Sequence, residues 1–196
     1  MRINLRQIMV GIGLALAVSV FVVPAAAFGA AVDSKTSTAT VAFKGGRLTL
    51  DATPNFNFGT HTIDGSTIDF PAQAKGTATI KDMRGTRAGY HLTAQLGAFS
   101  NGGTASLTGA QIVLSKGSLS YGGGGTAPAA PVAESSVRLI AGGAVMKALN
   151  AATSTGSGHW DISWNAADSV LTVPVGEQVV GSHTAVITWA LTDAPA

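Results

Sequence analysis

The side chains of this chain that could perform chemistry are four histidines and ten acidic residues. The histidines, His61, His91, His159 and His183, have no metal-ligand spacing to one another, and the chain contains no cysteine that could complete a metal site. His91 alternates with apolar neighbours and is expected on the solvent face of a strand. The sequence therefore predicts no metal and no cofactor.

Catalytic arrangements are equally hard to find. His159 and Asp161 in "GHWDISWN" place a base and a carboxylate on one strand face, but no activated nucleophile is identifiable nearby. "TGSGH" lacks the strand–elbow–helix setting of a serine hydrolase, and "YGGGG" lacks the P-loop tail and the Rossmann spacing. Asp82, Asp161 and Asp168 are single carboxylates, expected at strand ends or turns, and nothing selects a facing pair. We therefore expect no enzyme.

The elements that position these residues are short strands with period-2 alternation of apolar and polar residues. The fold class predicted is all-β, an antiparallel β-sandwich or barrel-like domain with a Gly-rich loop over Lys116–Val132 and one short helix over Ala144–Ala152. Two hairpins are expected, one joining Thr38–Phe43 to Arg47–Asp51 and one turning at Asp64-Gly65. Further strands are expected in "GTATIKDM", "YHLTAQLG", "GHWDISWN", "SVLTVPV" and "TAVITWALT".

Large aromatic residues recur on these strands. Trp160, Ile162 and Trp164 share one strand face and are expected in the core. Two further pairs are more informative, because an aromatic residue and a leucine two positions apart project to the same face. The pairs are Tyr90 with Leu92 and Trp189 with Leu191. Core packing and ligand contact remain equally open for them.

The first residues resemble a secretory signal peptide. Arg2 and Arg6 precede an apolar run, which is followed by Pro24 and the small residues "AAAFGAA". Cleavage is placed after Ala27, although Gly29 and Ala31 also satisfy the small-x-small rule; an uncleaved anchor is the alternative. The predicted domains are thus residues 1–27, a signal peptide, and residues 28–196, one domain.

Charge and cysteine content limit the choice of partners. Loss of Arg2 and Arg6 with the leader leaves 10 basic and 10 acidic residues, so the mature chain has no net charge that would favour nucleic acid. The absence of cysteine and of Asn-x-Ser/Thr sites argues against a secreted eukaryotic domain. An extracellular protein of a Gram-positive bacterium is the expectation.

Two motifs carry a resemblance to a known family. "IKDMRGTRAGYHLTAQLGAF" contains an Asp-x-Arg-Gly-Thr-x-x-Gly turn, and "ITWALTDAPA" contains Trp-x-Leu-Thr-x-Ala-Pro. In this order, after a leader and "GGRLTLDATPNFNFGT", they resemble the WxL domain of Gram-positive cell-surface proteins over about Gly45 to Pro195. The motif residues are Tyr90, Leu92, Trp189 and Leu191, with Asp82, Arg84, Gly85 and Gly89 in the turn.

The resemblance implies a function at the cell surface. A WxL-type protein is expected to be extracellular and associated with the cell wall, binding peptidoglycan non-covalently within a multi-protein complex that includes membrane-anchored WxL-interacting proteins. The chain departs from the family in its first motif, where Tyr90 replaces the tryptophan. No LPxTG-type signal or hydrophobic tail is seen at the end of the chain, which agrees with non-covalent attachment.

Two other functions remain open at this point. The first is a surface adhesin for host extracellular-matrix proteins such as collagen or fibronectin, with wall binding secondary. The second is a purely structural subunit that binds protein partners. Arg84 and Arg87 in the motif turn either meet wall phosphates or carboxylates, or are solvated turn charges.

Overall fold

A computed structural model describes residues 32–66 and 68–196 of the chain. The chain divides into a unit ending at Val41 and a larger unit from Ala42 to Ala196. Residues 32–41 of the first unit are exposed and form no strand. The predicted signal peptide and all three candidate cleavage positions lie outside the described residues.

The larger unit is built from antiparallel strands. In chain order the strands are β1 (Leu48–Ala52), β2 (Asp69–Pro71), β3 (Gly76–Asp82), β4 (Tyr90–Leu96), β5 (Phe99–Asn101), β6 (Thr104–Ser106), β7 (Gln111–Ser115), β8 (Ser118–Tyr121), β9 (Val132–Ala133), β10 (Ser136–Ile140), β11 (Met146–Ala151), β12 (Gly158–Trp164), β13 (Ser169–Thr172) and β14 (Ile187–Thr192). Short 3-10 turns occupy Ala166–Asp168 and Val175–Glu177. The predicted all-β class is confirmed.

Within residues 42–66 and 68–196, three four-stranded sheets surround the core. Their strand orders are β1-β3-β12-β8, β10-β7-β13-β2 and β14-β4-β11-β9, and β5 pairs with β6 in a small additional sheet. We call the third sheet the motif sheet, because it contains both aromatic-x-leucine pairs. The alternation seen in the sequence is the alternation of burial: every second residue is buried along β3 and β4, and from Trp160 onward along β12. Trp160, Ile162 and Trp164 are buried as predicted.

The predicted helix over Ala144–Ala152 is wrong, because this segment contains strand β11, which pairs with β4 on one side and β9 on the other. The register with β4 shifts between Lys147 and Leu149, which marks a bulge. The irregularity leaves Ala148 and Leu149 both buried, so the strand loses its strict alternation. Apolar residues then recur at helical spacing, which explains why the segment resembles a helix.

Both predicted hairpins are also wrong. Thr38–Phe43 is exposed and forms no strand, and β1 pairs with β3 instead. The turn at Asp64-Gly65 does exist, since Gly65 has a φ of 74° and Asp64 Oδ1 accepts a hydrogen bond from Ser66 N. However, no strand precedes it within the described residues from Thr53 onward, and β2 pairs with the distant β13. Strand pairing in this region is therefore non-local.

Two smaller expectations need correction. The predicted Gly-rich loop Lys116–Val132 contains strand β8, which forms an edge of the first sheet by pairing with β12. Residues 122–131 of that segment form no strand. Asp161 lies in the middle of β12 and not at a strand end or turn. A carboxylate is tolerated there because its side chain occupies the half-exposed face of the sheet.

Candidate functional site

The first and last motifs lie side by side in the motif sheet. Strand β14 pairs with β4 and is one of the two edge strands of this sheet, whereas β4 has a neighbouring strand on both sides. In this register Leu191 faces Leu92 and Trp189 faces Ala94. About a hundred residues of chain separate the two strands, so this pairing ties the C-terminal segment to the centre of the domain.

Tyr90 and Leu92 are completely buried. The Tyr90 hydroxyl donates a hydrogen bond of 3.1 Å to the carbonyl oxygen of Gly156, which supplies the partner that a buried phenol requires. Gly156 has a φ of 73°, and a Cβ at this position would lie 2.9 Å from the Tyr90 hydroxyl oxygen. Burial raises the pKa of the Tyr90 hydroxyl far above its ordinary value. Tyr90, which stands where the family has a tryptophan, is therefore fully buried with its hydroxyl hydrogen-bonded.

Trp189 and Leu191 are half-buried and pack against the core. The ring of Trp189 lies 5.6 Å from the ring of Trp164, with an angle of 36° between the planes. The indole N–H groups of both rings are buried and have no hydrogen-bond acceptor among the described residues. Because β14 is an edge strand, its tryptophan covers the core while one side of the strand faces outward.

The motif turn is organised by a buried ion pair. Arg84 Nε donates to Asp82 Oδ1 and Arg84 Nη2 donates to Asp82 Oδ2, each at 2.9 Å. Arg84 Nη2 also donates to the carbonyl of Gly89 at 2.8 Å, which closes the turn between β3 and β4. The Asp82 side chain is 2% exposed and that of Arg84 is 16% exposed. Arg84 is thus engaged within the domain, whereas Arg87 is exposed.

Protonation of this pair follows from its geometry. Burial acts to raise the pKa of the Asp82 carboxyl, but the hydrogen bonds and charge of Arg84 outweigh burial, so the pKa lies below its ordinary value. The same hydrogen bond raises the pKa of Arg84. Both groups are therefore charged at neutral pH, and the turn is fixed by two charge-assisted hydrogen bonds.

The two motif glycines adopt the positive φ expected of them. Gly85 has a φ of 73° and Gly89 a φ of 84°. A Cβ at Gly89 would collide with the carbonyl oxygen of Ala151 and lie 3.0 Å from Cγ of Pro195. Gly85 has open space around it, so only its backbone conformation favours glycine. Gly89 is therefore required on two grounds.

The residues after β14 are attached to the same region. His91 is half-buried on the polar face of β4, and its Nδ1 lies 2.6 Å from the carbonyl oxygen of Ala194. The backbone N–H of Ala196 donates to Asn150 Oδ1 at 2.8 Å. The prediction that His91 points away from the core is confirmed, and its ring is held by the C-terminal segment.

A shallow pocket of about 680 Å³ lies beside the motif turn. Its charged lining residues are Arg47, Arg84 and Asp193, and its apolar lining includes Leu191. Arg84 forms an ion pair with Asp82. Arg47 is therefore the cation of this pocket that has no carboxylate partner in the motif turn. The pocket combines both signs of charge over a small apolar surface.

The residues considered for catalysis have structural contacts. His159 Nε2 lies 3.4 Å from Asp161 Oδ1, as their shared strand face predicts. Asp161 Oδ1 also accepts a hydrogen bond of 2.6 Å from Thr79 across the sheet. Asp168 binds Lys116 at 2.9 Å. Within residues 32–66 and 68–196, no group of three or more His, Asp or Glu residues is arranged to hold a metal ion.

Two residues that stabilise the motif sheet escaped sequence reasoning. Gly156 accepts the Tyr90 hydroxyl, and Asn150 binds the backbone of Ala196. Their partners lie 66 and 46 positions away in the chain, so no local pattern marks them. The "TGSG" stretch contained a signal for Gly156, because glycines beside a predicted strand often adopt a positive φ, as Gly156 does here.

These features define the class of the protein: an all-β domain whose first and last motifs meet in one sheet, with a buried ion pair in the turn that leads into it. The chain matches the WxL family, described as "WxL domain surface cell wall-binding", over residues 23–195, and it therefore belongs to that family. No curated protein and no solved structure shows significant similarity to it. Among the described residues, no helix is long and apolar enough to cross a membrane.

Proposed function

We propose that this protein is exported and held at the surface of a Gram-positive cell by non-covalent binding of its WxL domain to peptidoglycan. In this proposal it acts without catalysis and as part of a multi-protein surface complex with membrane-anchored partners. The observation that carries the proposal is the family match, which extends over 23–195 and so includes the whole motif sheet.

The motif residues have a framework role in this proposal. Tyr90 and Leu92 are fully buried, and Asp82 and Arg84 bind each other, so these groups hold the sheets in place. Trp189 and Leu191 cover the core at the edge of the motif sheet. The wall is then contacted by surfaces that this framework supports, and not by the Tyr90 ring.

The experiment is retention of the mature chain, residues 28–196, on purified sacculi. Sacculi are used both intact and after removal of wall teichoic acids, so that peptidoglycan is tested by itself. We expect the folded protein to sediment with both preparations and to be released by denaturant. Protein that stays in the supernatant of stripped sacculi would contradict peptidoglycan binding.

The same assay separates the alternative functions. A host-matrix adhesin would bind immobilised collagen or fibronectin while ignoring stripped sacculi. A subunit that binds only proteins would remain soluble in both assays and would bind purified membrane-anchored partners. Retention on sacculi together with binding of such a partner would support the complete proposal.

A further inference from the structure

A second, larger surface feature lies away from the motif turn. A cleft of about 830 Å³ separates the segment 53–63, which follows β1, from the segment 178–187, which leads into β14. This volume is within the range of pockets that hold small ligands. Its floor consists of apolar core residues, among them Phe70, Leu107 and Leu171. We call this feature the neutral cleft because of the side chains that line it.

No Asp, Glu, Lys or Arg is found among the described residues that line the neutral cleft. Its polar lining consists of amides, hydroxyls and two histidines. Nε2 of His61 lies 2.5 Å from the carbonyl oxygen of Phe58, and both ring nitrogens of His183 are within 3.0 Å of oxygen atoms of the domain. Apart from these two histidines, the described lining offers no ionisable side chain to a phosphate, a carboxylate or an amine.

The rim presents amide groups that are available to a ligand. The side chains of Asn55 and Gln73 are exposed and make no hydrogen bond to another described residue. Asn57 Oδ1 accepts a hydrogen bond from Gly59 N, which leaves its amide donors. Each free carboxamide offers donors and acceptors together. Such carboxamides can form hydrogen bonds with the hydroxyl and acetamido groups of a ligand.

The rim is held in place by the domain itself. Gln73 N donates to the carbonyl of Asn57 at 2.8 Å, which fixes the two rim segments to each other. Phe56 lies directly over Gly76, where a Cβ would come within 2.5 Å of the ring. The rings of Phe56 and Phe58 are stacked, with centroids 6.3 Å apart. An aromatic surface is thus built beside the amides.

We infer that the neutral cleft binds an uncharged, N-acetylated glycan strand, such as the sugar backbone of peptidoglycan. The amides of Asn55, Asn57 and Gln73 pair with sugar hydroxyls and acetamido groups. The acetamido methyl groups and the C–H faces of the sugar rings lie on Phe56 and the apolar floor. This inference rests on the proposed function and specifies which part of the wall is recognised.

The alternative wall ligands fit less well. A teichoic acid carries phosphate charges, and a peptide stem carries carboxylates and amines, and either would leave its charges unpaired in a cleft without ionic partners. The charged shallow pocket at the motif turn is the better match for such groups. The neutral cleft therefore selects the glycan over the charged wall components.

The test is calorimetric titration of residues 28–196 with a soluble N-acetylglucosamine oligosaccharide, and separately with a glycerol-phosphate polymer. We expect the oligosaccharide to bind and the polymer not to. In the double variant Asn55→Ala/Gln73→Ala we expect oligosaccharide affinity to fall about tenfold, because two hydrogen-bonding groups are lost. The matched control is Gln95→Ala, an exposed amide on β4 that does not line the cleft; its affinity should equal that of the parent.

The outcomes separate this inference from the proposed function. Retention on stripped sacculi without oligosaccharide binding would overturn the neutral cleft as the glycan site while leaving wall binding intact. Equal affinity of the double variant and the parent would also overturn it. If the parent protein neither sediments with stripped sacculi nor binds the oligosaccharide, the proposed function is contradicted as well. Thermal melting of each variant verifies that it is folded.

Discussion

The motif sheet and the neutral cleft use their aromatic and polar residues in opposite ways. In the motif sheet Tyr90 is fully buried with its hydroxyl hydrogen-bonded, and in the motif turn that leads into this sheet the charged residues Asp82 and Arg84 are paired with each other. In the cleft the amides of Asn55 and Gln73 face outward without partners among the described residues. The two aromatic-x-leucine motifs and the motif turn are therefore the framework, and the unpaired amides lie on a surface outside them.

This difference makes a general prediction about mutations. Changes in the motif sheet should lower the free energy of unfolding and affect binding only through it. Changes in the cleft rim should affect binding at constant stability. The four tests below are ordered from the largest expected change in stability to the smallest.

Removing residues 189–196 should unfold the domain. The deletion removes most of β14, which covers one side of β4 and packs Trp189 against Trp164. Since domains are stable by only about 5–15 kcal/mol, exposure of the β4 edge and the core is expected to abolish cooperative melting. The measurement is thermal unfolding followed by circular dichroism.

Thr188→Ala is the control for this truncation, because Thr188 is exposed on the outer face of the same strand. It should melt like the parent. A truncated chain that is soluble and melts cooperatively would show that the C-terminal motif is not part of the framework.

Asp82→Ala should lower the free energy of unfolding by about 3 kcal/mol, because it leaves the Arg84 guanidinium largely buried without its carboxylate. The Arg84 bond to the Gly89 carbonyl remains, so the turn keeps one contact. The measurement is denaturant unfolding at neutral pH.

The matched control is Asp51→Ala. Asp51 binds Lys81 at 2.6 Å, but both side chains are more than a third exposed, so the variant should change stability little. If the two aspartate variants were equally stable, the Asp82–Arg84 pair would not be what holds the turn.

Tyr90→Phe should lower the free energy of unfolding by about 1 kcal/mol at neutral pH, because the buried carbonyl of Gly156 loses its donor. The parent should show a second effect in alkali. The pKa of Tyr90 is raised by folding, so its stabilising contribution is complete below an ordinary value of about 10 and is lost as the pH rises above it.

Melting temperatures measured up to strongly alkaline pH test this pair of effects. The parent should lose stability above about pH 10 more steeply than Tyr90→Phe. Tyr121→Phe changes the other tyrosine of the chain and should follow the parent curve. Parallel curves for the parent and Tyr90→Phe would contradict burial of the Tyr90 hydroxyl.

Asn55→Ala/Gln73→Ala should change the free energy of unfolding least, by about 0.5 kcal/mol or less, because both side chains are exposed. Its effect should be seen in oligosaccharide affinity. Denaturant unfolding of the double variant beside the parent is the measurement. A large loss of stability would mean that the rim amides belong to the framework, and the contrast between the two regions would disappear.

The strands of this domain were predictable where alternation is strict. β3, β4 and, from Trp160 onward, β12 bury every second residue, and the sequence pattern of apolar residues indicates each of them directly. The positive φ of Gly85 and Gly89 was predictable as well, whereas the binding role of the motif residues stays a prediction. The framework is therefore largely encoded in local patterns.

The predictions that failed depended on contacts between distant segments. Strand β11 has a bulge at Ala148, and its apolar residues consequently follow helical spacing, although two neighbouring strands fix it as extended. Thr38–Val41 alternates polar and apolar residues, but the whole segment Thr38–Phe43 is exposed and forms no strand. A local pattern cannot report whether a partner strand is present.

The sequence by itself determined the all-β class, the alternating strands and the WxL family, because side-chain periodicity and motif spacing are properties of neighbouring residues. Only the tertiary structure decided that β1 pairs with β3 and that the Tyr90 hydroxyl binds the carbonyl of Gly156. It also decided that a cleft opens between residues 53–63 and 178–187, with no Asp, Glu, Lys or Arg among the described residues that line it. These features arise where segments far apart in the chain meet, and their geometry is set by packing.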